Sequence, residues 1–152
     1  MSHTVRLSEL GLTLPDAPMP AANYVPTVRS GDLLFVSGQI SADAGGMKVG
    51  KLGADATLEQ GVEAARLCAL SLLAQVKAAC GGDLDRLEQV VKLTGFVNST
   101  PEFDQQPKII NGASDLLADV LGDAGKHSRS AVSAASLPFG VMVEIEGIFR
   151  VR

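Results

Sequence analysis

Apolar residues recur at helical spacing between residues 58 and 80: Leu58, Val62, Ala65, Ala69, Leu72, Leu73, Val76 and Cys80 form one stripe. Thr57 and Gln60 have the spacing of a capping box at its start, and Gly81-Gly82 supplies the stop. A second helix is expected from around Asp104–Pro107 to Gly122, with Ile109, Ile110, Ala113, Leu116, Leu117 and Val120 as its apolar stripe. Period-two or continuous apolar runs mark strands: a loose alternation over Val5–Leu14, then Tyr24–Val28, Leu33–Gly38 and Gln89–Val97. Pro26 places the second of these at an edge or bulge. The segment 14–23 holds three prolines and reads as an irregular loop, and Ala44–Gly50 as a hairpin or loose loop. Two closing strands are expected, His127–Ser133 and Val143–Val151, joined by a turn at Leu137-Pro-Phe-Gly. In the last strand Val143, Ile145, Gly147, Phe149 and Val151 share one face, and Glu144, Glu146, Ile148 and Arg150 share the other.

The order strands–helix–strand–helix–strands predicts an α+β fold: a mixed sheet with two helices packed on one face. The uncovered face then carries Glu144 and other polar groups if Phe149 points to the helices. Residues 1–152 read as one domain, long enough for a sizeable core. At 46% hydrophobic and 20% charged, the chain is globular rather than disordered.

Charge narrows the function. Thirteen Lys and Arg against seventeen Asp and Glu give −4, without a basic cluster, which argues against nucleic acid as a partner. No apolar run reaches the roughly 18 residues of a membrane span, and the first residues carry no signal segment, so a soluble cytoplasmic protein is expected. Cys68 and Cys80 fall on one predicted helix, roughly 18 Å apart at about 1.5 Å per residue, too far for a disulfide.

Candidate chemistry centres on Arg129 and Glu144. A guanidinium grips a carboxylate through two parallel hydrogen bonds. A carboxylate between valine and isoleucine either pairs with a cation or has a raised pKa, and Glu146 on the same face raises it further. The plain alternative is a cross-strand ion pair between the two. Ser37-Gly38-Gln39 ends a buried strand, where the hydroxyl and free N–H groups offer an oxyanion site or merely a turn. His127 reads as a solvated loop histidine. Nucleophile-elbow, phosphate-loop and zinc-ligand spacings are absent.

Taken together, Tyr24-Val-Pro, Phe35-Val-Ser-Gly-Gln-Ile, Val91-Lys-Leu-Thr-Gly-Phe-Val, His127-Ser-Arg-Ser-Ala-Val and Leu137-Pro-Phe-Gly with Val143-Glu-Ile-Glu resemble the RidA/YjgF family, whose older label is L-PSP endoribonuclease. Each piece is weak alone; their order and spacing are specific, and they span residues 21–152. The resemblance implies a chorismate-mutase-like fold assembled as a homotrimer with sites between subunits. It implies a cofactor-free, metal-free deaminase that hydrolyses 2-enamine and 2-imine acids to 2-keto acids and ammonia. Arg129 matches the family's carboxylate-binding arginine and Glu144 the glutamate near the attacking water. Tyr24, Ser37, Gly38, Asn111 and Ala131 match site-lining positions. The chain departs from the family pattern in three places. Ala131 stands where cysteine is common, although the backbone carbonyl there still serves. The segment 103–111 is about four residues longer, and the N-terminal arm is longer too. The rival readings are a small-carboxylate binding protein without turnover, and an endoribonuclease, which the acidic charge and single tyrosine disfavour.

Overall fold

The computed structural model describes residues 1–152. Its elements in chain order are α1 (His3–Glu9), β1 (Thr27–Ser30), β2 (Leu33–Ile40), β3 (Ala42–Asp43), β4 (Gly46–Met47), α2 (Leu58–Ala79), β5 (Leu87–Asn98), α3 (Gln106–Leu121), β6 (Ser128–Ala134) and β7 (Val143–Val151). Five strands form one mixed sheet in the order β1-β2-β7-β5-β6, while β3 and β4 pair in a separate small hairpin. Only β5 and β6 run parallel. The α+β class and the mixed sheet hold, but there are three helices rather than two.

The closing strands are not a hairpin. β7 pairs with β2 on one side and β5 on the other, and β6 lies beyond β5 at the sheet edge. Turn signals at Leu137-Pro-Phe-Gly suggested direct pairing; the segment instead carries the chain across β5, because a 12-residue central strand offers both of its edges. An ion pair between Arg129 and Glu144 on adjacent strands is thereby ruled out.

The stretch expected as a strand near Val5 is α1. Ser2 caps it by accepting from the Val5 N–H, and Asp85 accepts from the backbone N–H groups of His3 and Thr4. A carboxylate at a helix N-terminus satisfies orphan donors and the helix dipole, and this one lies some eighty residues away in sequence, out of reach of any local pattern. Tyr24–Pro26 is not a strand either; β1 begins just after the proline, which lacks a ladder donor.

α2 and α3 pack on the sheet face defined by Val143, Ile145 and Phe149, all fully buried. The capping box at Thr57 and Gln60 forms with both hydrogen bonds. The two helices approach closely: a Cβ on Gly112 would lie 2.2 Å from the Val62 carbonyl oxygen. On the sheet beneath, a Cβ on Gly95 would lie 2.5 Å from the Ile110 side chain. The side chain missing from Gly95 leaves Ile110 its place in the core. The other sheet face has no helix. It exposes Phe35 and Val132 by about two-fifths of their surface (42% and 44%), with Phe96 and Ile148 between them partly covered.

Because Gly112 meets backbone that cannot swing aside, Gly112→Ala should cost about 3 kcal/mol of unfolding free energy, near the upper end of ordinary overpacking, measured by urea titration.

Candidate functional site

The sheet register divides the sequence-predicted residues into two groups. Arg129 pairs with Leu93, and Leu93 with Gly147, so all three share the helix-covered face. Glu144 pairs with Phe96 and Ile40 on the open face. Two strand spacings and a three-residue offset separate the Arg129 and Glu144 backbones by roughly 14 Å, and their side chains leave opposite faces of the sheet.

The Glu144 group is built around a β-bulge. Between Val36 and Gln39 the register of β2 against β7 slips, leaving one extra residue on β2. Bulges of this kind re-aim side chains beside functional sites. Gly38 sits in the bulge, and a Cβ there would lie 2.8 Å from a Glu144 carboxylate oxygen. The glycine is what lets the carboxylate lie over the strand. Glu144 is half-buried and has neither a hydrogen bond nor an ion pair within the chain. Its burial, and then the Glu146 charge, push its carboxyl above the ordinary range.

Ser37 holds the arm rather than standing free. Its N–H donates to the Pro26 carbonyl at 2.9 Å and its hydroxyl to the Val25 carbonyl at 3.0 Å. The expected oxyanion role of its donors is therefore not available in this state; the hydroxyl oxygen retains only acceptor capacity. With Tyr24, Ser37, Gly38 and Glu144 as part of its wall, a cavity of about 790 Å³ runs under the proline-rich arm 15–22. Phe139 stands on its rim with 61% of its surface exposed and a left-handed backbone, φ 60°. That conformation costs a non-glycine residue roughly 1–2 kcal/mol, and such strain concentrates at functional sites.

The second group gathers at β6 and α3. Arg129 donates through Nη1 to Ser114 Oγ at 2.9 Å and through Nη2 to the Pro107 carbonyl at 3.2 Å, and has no acidic partner. His127, expected to be merely solvated, is half-buried and completes the support: its Nδ1 lies 2.6 Å from the Gly125 carbonyl and its Nε2 2.9 Å from Ser114 Oγ. A carbonyl only accepts, so Nδ1 donates to Gly125, and Nε2 is paired with the serine hydroxyl. Asn111, exposed, lies one helical turn after Pro107 and three residues before Ser114, on the same side of α3. Ala131 follows Arg129 by two on the same strand face and packs against the core. Ser114 escaped the sequence reading; its one signal was its spacing from Asn111.

An arginine with neutral anchors and a carboxylate with none are both unfinished as ion pairs. Each keeps a free side for a ligand.

The comparisons identify the family. The family profile described as "YjgF/chorismate mutase-like, putative endoribonuclease" matches residues 4–147. The chain belongs to this family, to which the RidA and RutC proteins are assigned. Protein TCP17 of Trypanosoma cruzi is 51% identical over 93% of this chain and 89% of its own length. The crystal structure of Atu1372 from Agrobacterium tumefaciens, a protein of unknown function, is 50% identical, covers 99% of this chain and 92% of that one, and superposes with a TM-score of 0.92. A structure of E. coli TdcF with bound serine is 31% identical over 90% of this chain and 94% of that one, with a TM-score of 0.61.

Two outcomes follow from the bulge. Gly38→Ala should drive the Glu144 carboxylate toward water and return its pKa toward the ordinary range, read by carbon-13 NMR titration of the carboxyl. A raised folded-state pKa means that the folded chain binds the proton more tightly than the unfolded chain. Stability is therefore lost as pH rises from the ordinary carboxylate range through the raised value. Glu144→Gln should lift the melting temperature by roughly 1–3 °C at pH 7 and lose that advantage in acid below the ordinary carboxylate range.

Proposed function

We propose that this protein is a hydrolytic deaminase of reactive 2-enamine and 2-imine acids, acting as a homotrimer whose sites lie between copies. The observation that carries the proposal is the separation just described: a guanidinium without an acidic partner on one face and an unpaired, half-buried carboxylate on the other, both within the sequence motifs that resemble the family's. One chain cannot bring them to one small ligand. Two copies can, when the β6 edge of one meets the cavity mouth of the next, and such a head-to-tail contact closes into a ring. The exposed Phe35 and Val132 on the uncovered sheet face give that assembly apolar surface to bury.

In this reading Arg129 of one copy holds the substrate carboxylate and places the imine carbon beside Glu144 of the next, removing orientational cost. An enamine first takes a proton at its β-carbon and becomes the imine. Water then adds to the C=N carbon while Glu144 accepts its proton. The carboxylic acid so formed gives that proton to nitrogen, which completes the carbinolamine. Glu144 then takes the hydroxyl proton and passes it to the same nitrogen as the C=O bond forms and the C–N bond breaks, and ammonia and the 2-keto acid leave. A carboxyl raised above its ordinary range suits both halves of this shuttle. The imine carbon is already electrophilic, so the step calls on no cofactor. Tyr24, Asn111 and the backbone near Gly38 and Ala131 line the site.

A binding protein without turnover is the second reading, favoured by the serine bound to TdcF.

The test is release of ammonia from enzymatically generated 2-aminoacrylate. Arg129→Ala and Glu144→Gln should each lower kcat/KM by about a hundredfold or more. Co-expressing the two variants should restore activity at about one site in four, because random mixing pairs an intact arginine with an intact glutamate across that share of contacts. Normal turnover in Arg129→Ala sinks the mechanism, and no recovery on mixing sinks the shared site.

A further inference from the structure

The cavity beside Glu144 is far larger than the smallest imine acids require. Its volume of about 790 Å³ would hold roughly 25 water molecules at about 30 Å³ each, and falls in the range of about 300–1,000 Å³ typical of sites for much larger ligands. Its shape follows from the sheet. β1 pairs with β2 only as far as Val36, so the edge of β2 from Ser37 onward has no strand beside it. The cavity wraps that free edge, from Glu144 on the open face to Ser71 on α2 behind it.

The walls are chemically uneven. Met19 and Pro18 from the arm, Ile40 from β2, Met47 from β4 and Phe139 on the rim make most of the surface apolar. Two of these are held there at a cost or by a tether. Phe139 keeps its ring at the rim despite the left-handed backbone. The arm is tied down through Pro18, whose carbonyl accepts from Gln75 Nε2 at 2.6 Å. The same nitrogen donates to Gln39 Oε1 at 3.3 Å, and Gln39 Nε2 donates to the Ser37 carbonyl at 2.9 Å. This chain of amides couples the roof to the bulged strand. At the inner end lies Ser71, 4% exposed and bordering the cavity.

We propose that this chamber selects 2-imino acids with large apolar side chains, of the leucine, methionine or phenylalanine type, over the alanine- and serine-derived ones. The inference rests on the deaminase reading for the reaction, and on the chamber alone for the selectivity. With the substrate carboxylate toward the neighbouring copy's arginine and the imine carbon at Glu144, the side chain points under the arm. A large apolar group fills that volume and displaces its water; a methyl group leaves most of it wet.

The experiment compares imines generated by an amino-acid oxidase, with catalase present, from leucine, phenylalanine and alanine. It is paired with calorimetric binding of the leucine-derived 2-keto acid and of pyruvate. The expected kcat/KM ratio of large to small is about tenfold or more. Ser71→Leu, which occupies the inner end, should cut that ratio about tenfold. Phe139→Gly should also lower it, and serves as the second variant because it relieves the backbone and leaves the core untouched. Turnover with equal or reversed preference overturns the selectivity and leaves the deaminase reading standing. No turnover of any imine, with tighter binding of the leucine-derived acid that Ser71→Leu weakens, overturns the deaminase reading and supports the chamber. Absence of both turnover and binding preference overturns both.

Discussion

β5 lies between the strand that carries Arg129 and the strand that carries Glu144, and this one placement governs how the molecule is used. A strand that is parallel to one neighbour and antiparallel to the other holds them in fixed register, and the pleat does the rest. The residue row through Leu93 faces the helices, and the row through Phe96 faces away. Two groups that sit fifteen positions apart in sequence, in what looks like a hairpin, end on opposite sides of the sheet. The distance that prevents an internal ion pair also leaves both groups unspent.

The two halves are held by different means. Arg129 is oriented by a polar relay through Ser114 and the imidazole of His127, ending on a backbone carbonyl. The relay fixes direction without neutralising charge. Glu144 is held by shape: an apolar strand below it, a bulge that turns β2 aside, and a glycine over which the carboxylate lies. The relay keeps a cation available for an anion, and burial holds a carboxyl above its ordinary range.

Much of this was legible in the sequence, for identifiable reasons. The apolar stripe from Leu58 to Cys80 has one reading, because its length, cap and glycine stop agree, and α2 follows it closely. The alternation in β7 was equally plain, and Phe149 does face the helices as expected. What failed was non-local. The helix at His3–Glu9 depends on Asp85, and the order of β6 and β7 depends on which edge of β5 each one meets. No window of neighbouring residues contains either fact. The candidate site residues came from the spaced family motifs, but their separation into two faces required the register. Ser37 borders the cavity, but its donors were misjudged, because their partners, Val25 and Pro26, belong to a stretch without regular structure.

That stretch has a further importance. Residues 15–25 contribute nothing to the buried cluster that holds the sheet to its helices, yet they roof the cavity. The load on the fold and the lining of the cavity are thus assigned to separate parts of the chain. Side chains along the arm can therefore be exchanged, and the lining of the cavity altered, without renegotiating how the chain folds.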